Sequence, residues 1–270
     1  MFRKEQLDRY ARHIILPHVG AKGQLKLLDS SVLVIGAGGL GSPILLYLAA
    51  AGVGRLGIVD FDGVDLSNLQ RQVIHSLDTL GENKAVSAKA RIQALNPDVD
   101  VQLYREALSG DNARAIIQPF DLIIDGSDNF PTRYLVNDAA VLEHKPLIYG
   151  AMAQFEGQVS LFHSETASAQ LGPCYRCLYP KPPPPGSVPS CAEAGVFGAL
   201  PGVIGSLMAV ESIKHIVGMG ESLAGRLLHY DALYAEFREV QLQRNPNCPV
   251  CGDTPSIHEL IDYQDFCGMR

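Results

Sequence analysis

The stretch SVLVIGAGGLG, Ser31 to Gly41, decides the fold. Val32, Leu33, Val34 and Ile35 form the apolar, mostly β-branched run of a buried strand, and they open into Gly36, Gly38 and Gly41. Ser42 is placed to cap the helix that follows, with Pro43 in a first turn that tolerates a missing N–H. Strand, tight turn and helix start follow in eleven residues or so. Glycines let a backbone approach a phosphate, and the free N–H groups and dipole of a helix start favour negative charge. The next apolar run, Leu56–Val59, ends in Asp60, at a distance that suits a ribose hydroxyl. A glycine turn that merely packs a helix on a sheet would carry the same glycines. The strand before, the helix after and the acid at the next strand end favour a nucleotide site, without choosing the nucleotide.

Outward from that turn, apolar runs and helical segments alternate from residue 30 to 150. Ser42–Ala51 reads as a small-residue helix ended by Gly52–Gly54, and Leu56–Asp60 as the second strand. Phe61–Gly63 is a turn, and the polar DLSNLQRQ (Asp65–Gln72) places Asn68 and Arg71 on one side of a short helical turn. Asn83–Leu95 is a helix stopped by Asn96-Pro97. Lys84 in its first turn opposes the helix dipole, which either Glu82 or a bound anion across from it would relieve. Val99–Leu103, Asp121–Asp125 and Leu147–Tyr149 are further strands, with helices around Asp111–Ile117 and from Pro131 to about Leu142. Asn129 suits a helix cap. Asp128, at the carboxyl end of a buried strand, is where a carboxylate can hold Mg²⁺ against a phosphate. The alternation predicts an α/β fold with a doubly wound, mostly parallel Rossmann-like sheet. Val159–Phe162 and Arg226–Val240 read as antiparallel C-terminal additions, joined across PKPPPPG (Pro180–Gly186), an extended crossover. The expected organisation is an N-terminal helical segment (1–28), a nucleotide-binding core (29–155), a partner-binding and zinc-bearing C-terminal part of the same domain (156–254) and a tail (255–270).

The 270 residues are 47% hydrophobic, enough for a full core, and the net charge of -7 with no long basic run argues against nucleic acid as the main partner. The opening MFRKEQLDRYARHIIL is too charged for a signal peptide, and Ala194–Val210, broken by Pro201 and followed by Glu211 and Lys214, reads as a buried or interface helix with no membrane role. A cytoplasmic protein follows from this, in which cysteines serve as metal ligands or nucleophiles. Cys174 and Cys177 (PCYRC) with Cys248 and Cys251 (CPVC) are the two knuckles of a structural Zn²⁺ site, closed by four thiolates. Cys191, in SCAEAG, precedes a helix start, which favours a thiolate, while Glu193 opposes it. Cys267 has no local context. Residues 4–15 read as a helix carrying Arg9 and Arg12 on one face, with Asp8 spaced to pair with Arg12.

GAGGLG, VDFDGVDLSNLQRQ, Lys84, GSDN, PCYRC, SCAEAG and CPVC occur here in the order found in the MoeB/ThiF family, relatives of the ubiquitin-activating enzymes. RYARHIIL is similar to the family's opening helix, with His13 in place of Gln. The resemblance covers about residues 5–254. It implies ATP-dependent adenylation of the C-terminal glycine of a small ubiquitin-like sulfur-carrier protein ending in Gly-Gly. It implies that Gly39, Asp60, Asn68, Arg71, Lys84 and Asp128 contact ATP or its Mg²⁺, with Gly36, Gly38, Gly41, Asp62, Ser67, Leu69, Gln70 and Asn129 completing the nucleotide site. It also implies a homodimer in which Arg12 reaches the neighbouring subunit's triphosphate, and it makes Cys191 the candidate for a covalent link to the carrier. The tail IHELIDYQDFCGMR resembles the linker before a rhodanese-like domain in some relatives, which implies either a single-domain member or a chain cut at that boundary, with sulfur then expected from a separate protein such as a cysteine desulfurase or rhodanese. Such carriers serve molybdopterin, thiamine, tRNA thiolation and cysteine synthesis, and the residues choose none of these. A nicotinamide oxidoreductase would share the glycine turn and ribose acid, and a zinc-held docking relative without catalysis would share the fold.

Overall fold

All five residues of the strand β1, Ser31–Ile35, are buried, and their side chains split between two cores. Val32 and Val34 face one apolar cluster and Leu33 and Ile35 the other, as period-two alternation requires of a strand covered on both sides. This computed structural model describes residues 2–163, 166, 170–187 and 194–268. In chain order the elements are α1 (Lys4–Ile14), α2 (Gly20–Asp29), β1, α3 (Gly41–Ala51), β2 (Arg55–Val59), α4 (Lys84–Leu95), β3 (Asp100–Tyr104), α5 (Ala113–Ile117), β4 (Leu122–Asp125), α6 (Phe130–Leu142), β5 (Leu147–Ala153), β6 (Glu156–Phe162), α7 (Tyr175–Leu178), α8 (Leu200–Val217), β7 (Arg226–Asp231), β8 (Glu236–Gln241) and α9 (Tyr263–Phe266).

One sheet runs in the order β3-β2-β1-β4-β5-β6-β7-β8. The first five strands are parallel and the last three antiparallel, as the sequence predicts. The chain reverses between β1 and β4, so loops leaving the carboxyl ends of these strands diverge and leave a crevice. β5 is longer than expected. It continues through Ala153 and turns at Gln154 (φ 51°) into β6, so the parallel half passes into the antiparallel half by one hairpin.

α3 and α8 pack on one face with β5 and β6, and α5 and α6 cover the other. Ile44, Leu45 and Leu48 of α3 are fully buried, each stabilising by roughly 1.5–3 kcal/mol. α3 begins at Gly41, one residue before the expected cap. Ser42 is not the cap; its hydroxyl donates to the Gly38 carbonyl at 2.7 Å. Gly41 leaves no room for a Cβ, which would collide with the Gly36 carbonyl, and Gly36 itself has φ 90°. α8 meets the length and hydropathy needed to cross a membrane, yet it is a core helix here: half of it is buried against α3, β5 and β6. Its buried Glu211 accepts from Lys214 at 2.7 Å and from the Leu223 amide. Among the described residues Asp8 and Arg12 make no ion pair; Arg9 instead donates to the Leu95 carbonyl at 2.9 Å and ties α1 to α4.

Candidate active site

At the carboxyl ends of β1, β2 and β4 the crevice widens to a cavity of about 330 Å³. Gly36, Gly38 and Gly39 form its floor, with the start of α3 behind them. Asp60, just past β2, braces that floor. Its carboxylate accepts from the Ala37 amide at 2.8 Å and from the Asp62 amide at 2.9 Å. Burial lifts the Asp60 carboxyl above the ordinary range, and those two amides and Lys84 pull against it. His75 clamps Ala37 from the other side. Its Nε2 lies 2.9 Å from the Ala37 carbonyl, which can only accept, so Nε2 carries the hydrogen and Nδ1 accepts from the Ser87 hydroxyl at 2.8 Å. Burial lowers the His75 pKa and keeps the ring neutral.

Three cations reach the cavity. Lys84 is buried in the first turn of α4, behind the cap Asn83, and its Nζ lies 2.9 Å from Asp62 Oδ2. Its partner is thus Asp62 rather than Glu82. Arg71 follows the short 3₁₀ turn Leu66–Asn68 and donates to the Ser67 carbonyl at 3.2 Å. Arg133, one turn into α6, donates to the Ser127 carbonyl at 3.3 Å. Burial works against the charge of Arg133, but the fields of Tyr149, Tyr175, Asp125 and Asp128 outweigh it, and its pKa is raised. Asn129 accepts from the Thr132 amide at 3.0 Å and caps α6. Asp128 is exposed at the mouth and makes no hydrogen bond or ion pair among the described residues.

The structure therefore brings Gly36, Gly38, Gly39, Asp60, Asp62, Arg71, Lys84, Asp128 and Asn129 around one cavity. Gly41, Ser67, Asn68, Leu69 and Gln70 stand outside its lining. The Ser67 hydroxyl donates to Asp65, the Asn68 carbonyl accepts from the Arg71 and Gln72 amides, and Gln70 abuts Gly198, so this turn aims Arg71 and Gln72 inward. Arg12 lies elsewhere in the chain's own surface, in a separate cavity of about 350 Å³ beside Tyr47 and Val210. Cys191 lies outside the described residues.

Sequence reasoning missed Gln72, Ser127 and Arg133. Each lines the cavity and each holds a buried polar atom with no partner: Gln72 Oε1, Ser127 Oγ and Arg133 Nε. A buried unpaired polar group costs about 1–3 kcal/mol, and one such residue in a site is ordinary strain. Three such residues around one cavity that also holds Arg71 and Lys84 instead mark a polar site suited to an anionic, hydrogen-bonding ligand.

A second cavity, about 520 Å³, adjoins the first and shares Asp128, Asn129, Pro131, Arg133 and Met152 with it. Its walls are Tyr149 and Ala151 of β5, Gln158 of β6, Tyr175 and Tyr179, and its roof is the proline run Pro182–Pro185. Tyr175 belongs to the first cysteine knuckle. The Sγ atoms of Cys174, Cys177, Cys248 and Cys251 lie within 4.8 Å of one another, a group that can hold one metal ion. Cys177–Cys251 at 3.4 Å, Cys174–Cys248 at 3.6 Å and Cys174–Cys177 at 4.0 Å bracket the about 3.8 Å edge of a tetrahedron with metal–sulfur bonds near 2.3 Å. The Asn245 amide donates to Cys177 Sγ at 3.3 Å. Arg176, between the first two cysteines, forms a bidentate buried pair with Asp138 of α6 at 2.7–2.8 Å, which seats the knuckle on the helix that starts beside Asp128.

A glycine turn, a strand-end acid and converging cations, beside a four-cysteine cluster, define an α/β protein with the site of a nucleotide binder. The chain belongs to the ThiF family, whose sequence model matches residues 10–250. It is 61% identical over 267 residues to the sulfur carrier protein adenylyltransferase of Thermus thermophilus, covering 99% of this chain and 98% of that protein. It is 54% identical to the probable adenylyltransferase/sulfurtransferase MoeZ of Mycobacterium tuberculosis and 47% identical to the adenylyltransferase and sulfurtransferase MOCS3 of Anopheles gambiae. It covers 98% of itself in both cases, but only 66% and 59% of those longer proteins. Among solved structures, Escherichia coli MccB with ATP superposes with a TM-score of 0.76 at 22% identity, covering 90% of this chain and 74% of that one, a likeness of fold.

Proposed function

We propose that this protein uses ATP to adenylate the C-terminal carboxylate of a ubiquitin-like sulfur-carrier protein ending in Gly-Gly. The observation that carries the reading is the contiguity of the two cavities at Asp128 and Arg133. One is built for a polyanion with hydroxyls. The other is a partly apolar channel that suits an extended, small-residue peptide tail. The relatives named as adenylyltransferases support the same chemistry and favour neither a nicotinamide oxidoreductase nor an inactive docking protein.

In the reaction, a carboxylate oxygen of the carrier attacks the α-phosphorus of ATP. The bond to the bridging oxygen breaks, and pyrophosphate leaves with the electron pair. The nucleophile is already ionised, so no general base is required. The glycine-turn amides and the start of α3 hold phosphate oxygens. Asp60 accepts from ribose hydroxyls. Arg71 and Lys84 carry the charge that builds on the leaving pyrophosphate, and they are fixed beforehand by Ser67, Asp62 and burial. Arg133, reaching both cavities, orients the incoming carboxylate. Asp128 is a hard oxygen donor free at the cavity mouth and fits Mg²⁺, which when bound neutralises phosphate charge. Arg12 adds a cation from the second subunit of a homodimer. Three buried thiols and the half-buried Cys177 fit Zn²⁺; Cys174, Cys177, Cys248 and Cys251 would be its ligands, and the ion would hold the two knuckles together in a structural role. Thiols kept as metal ligands suit a cytoplasmic enzyme.

The test is ATP–pyrophosphate exchange. Exchange that appears only when a Gly-Gly carrier is added supports the reading. NAD⁺ binding without ATP binding, or no exchange with any candidate carrier, refutes it.

A further inference from the structure

Past the second cysteine knuckle the chain crosses the face of the site as a strap. Ile257 joins the apolar cluster around the four cysteines. Leu260 and Ile261 pass over the loop after β3, where a Cβ on Gly110 would lie 3.5 Å from the Ile261 carbonyl oxygen. The Asp262 carboxylate then accepts from the Gln264 and Asp265 amides at 3.0 and 3.1 Å and starts α9. The Tyr263 hydroxyl donates to Asp138 at 2.7 Å, joining the buried pair with Arg176. Phe266 lies 4.6 Å from the Arg176 guanidinium on its ring face and edge-on to Tyr134 at 5.3 Å. A Cβ on Gly268 would sit 2.7 Å from Pro185, so the strap also reaches the proline roof.

Seated this way, the strap contributes to both cavities. Gln264 lines the first, as do Glu106, Ala107 and Leu108 of the post-β3 loop that Leu260 and Ile261 cross at Gly110, and Cys267 lines the second. The position of Gln264 along the first cavity has a chemical meaning. The glycine turn marks the phosphates, and Asp60 at the end of β2 marks the ribose. A base must therefore lie further toward β3, on the wall made by the 106–108 loop and the strap. Ala107 and Leu108 offer a base apolar surface but no side-chain hydrogen bond. The Gln264 side-chain amide has two donors and an acceptor and makes no hydrogen bond with a described residue.

We propose that Gln264 is a specificity-determining residue of the nucleotide site, presenting its amide to the edge of the purine, and that the strap holds it there through Tyr263. The inference rests on the adenylation reading. It makes residues 257–268 a wall of the active site rather than a connection leading away from it.

The test uses the full chain with Mg²⁺ and ATP or GTP. Gln264→Ala raises the dissociation constant for ATP about five- to tenfold, the effect of one lost hydrogen bond, and narrows the preference for ATP over GTP by a similar factor. The KM for the carrier is unchanged. Tyr263→Phe, which removes only the hydroxyl bonded to Asp138, weakens ATP about two- to fivefold. Amide hydrogen exchange in residues 258–268 slows when ATP binds the unaltered protein. Gln264→Ala that binds ATP within about twofold of the unaltered protein, or strap exchange indifferent to ATP, overturns the inference. An unaltered protein that binds no ATP overturns the functional reading beneath it, so the two failures are distinguishable.

Discussion

Lys84→Met separates a catalytic cation from a structural one. Methionine keeps most of the stem that α4 buries and removes only the ammonium. In the free protein that ammonium pairs with Asp62, whose side chain is 51% exposed, while Lys84 is 9% exposed. Once the lysine is gone the Asp62 carboxylate is solvated by water, so the stability loss is about 1 kcal/mol or less, a few degrees in melting temperature. The cost to the reaction is far larger. A unit charge about 4 Å from a developing phosphate charge, at an effective dielectric near 20, is worth about 4 kcal/mol. Removal of one fixed donor from such a site typically costs about 10²–10³ in rate. Lys84→Met should therefore lower carrier-dependent pyrophosphate exchange by about two to three orders of magnitude in kcat/KM while calorimetry shows a near-normal melt. Exchange within about tenfold of the unaltered protein would mean that Lys84 only neutralises Asp62, and the assignment of the leaving-group cations would fail.

Arg176→Met leaves Asp138 buried and short of its cation, and urea unfolding should show a loss of about 3–5 kcal/mol, much more than an exposed pair would give. Metal analysis should find one zinc per chain. Cys248→Ser should lower that content and depress the melting temperature by on the order of 10 °C. His163 has a pKa pushed down to about 4, by burial first and then by His144 and Arg244. Its neutral form is the one that folding favours, so its contribution is intact above about pH 6.5 and is lost as pH falls toward 4. The loss reaches up to about 3 kcal/mol, measurable as a falling urea midpoint, and His163→Gln should flatten that part of the profile. Cys191→Ala should adenylate the carrier normally yet form thiocarboxylate about tenfold more slowly or worse, and mass spectrometry of the carrier reads both; a normal thiocarboxylate rate would remove the covalent role.

Much of the nucleotide half was legible because its signals are local. A strand, a glycine turn and a helix start follow one another between Ser31 and Gly41, and the acid at the end of β2 comes at a regular interval. The cysteine knuckles are equally local, each closing within four residues. The antiparallel half is written more faintly. β8 is exposed along its whole length, so no alternation of apolar and polar residues marks its faces, and the hairpin with β7 shows only as one continuous run. Single polar residues were the least legible. Gln72, His75, Ser127, Arg133 and Gln264 carry no spacing that distinguishes them from solvated neighbours. Only the fold reveals that three of them hold unpaired buried atoms over the same space. Arg176 stood in plain view inside PCYRC, but its partner Asp138 is 38 residues earlier, and nothing short of the packing of α6 against α7 connects them.

The change from parallel to antiparallel pairing has a chemical consequence. In the parallel half every strand ends at the same edge, so phosphates, ribose and base can be held along one line by turns leaving β1, β2, β3 and β4. A peptide tail cannot share that line without displacing the nucleotide. The β5–β6 hairpin resolves the conflict by turning back at that same edge: Ala153 pairs with Glu156, and Glu156 with Asp231 at the end of β7. The channel walls thus come from strand ends beside the nucleotide cavity, not from a distant face. α6 starts between the two; Asp128, just before its cap Asn129, and Arg133, one turn in, line both cavities. On the adenylation reading, two substrates of unlike chemistry, one polyanionic and one a bare peptide end, would meet at a single helix start. That start is fixed from below by β4, and from behind by the Arg176–Asp138 pair, the Tyr263 strap and the cysteine cluster. Rigidity at that point matters because an in-line displacement tolerates little misplacement: an error of about 1 Å can cost about 10²-fold in rate. On this reading the cysteine cluster, though remote from the reacting atoms, would act on the reaction through the Arg176–Asp138 pair that seats it on α6.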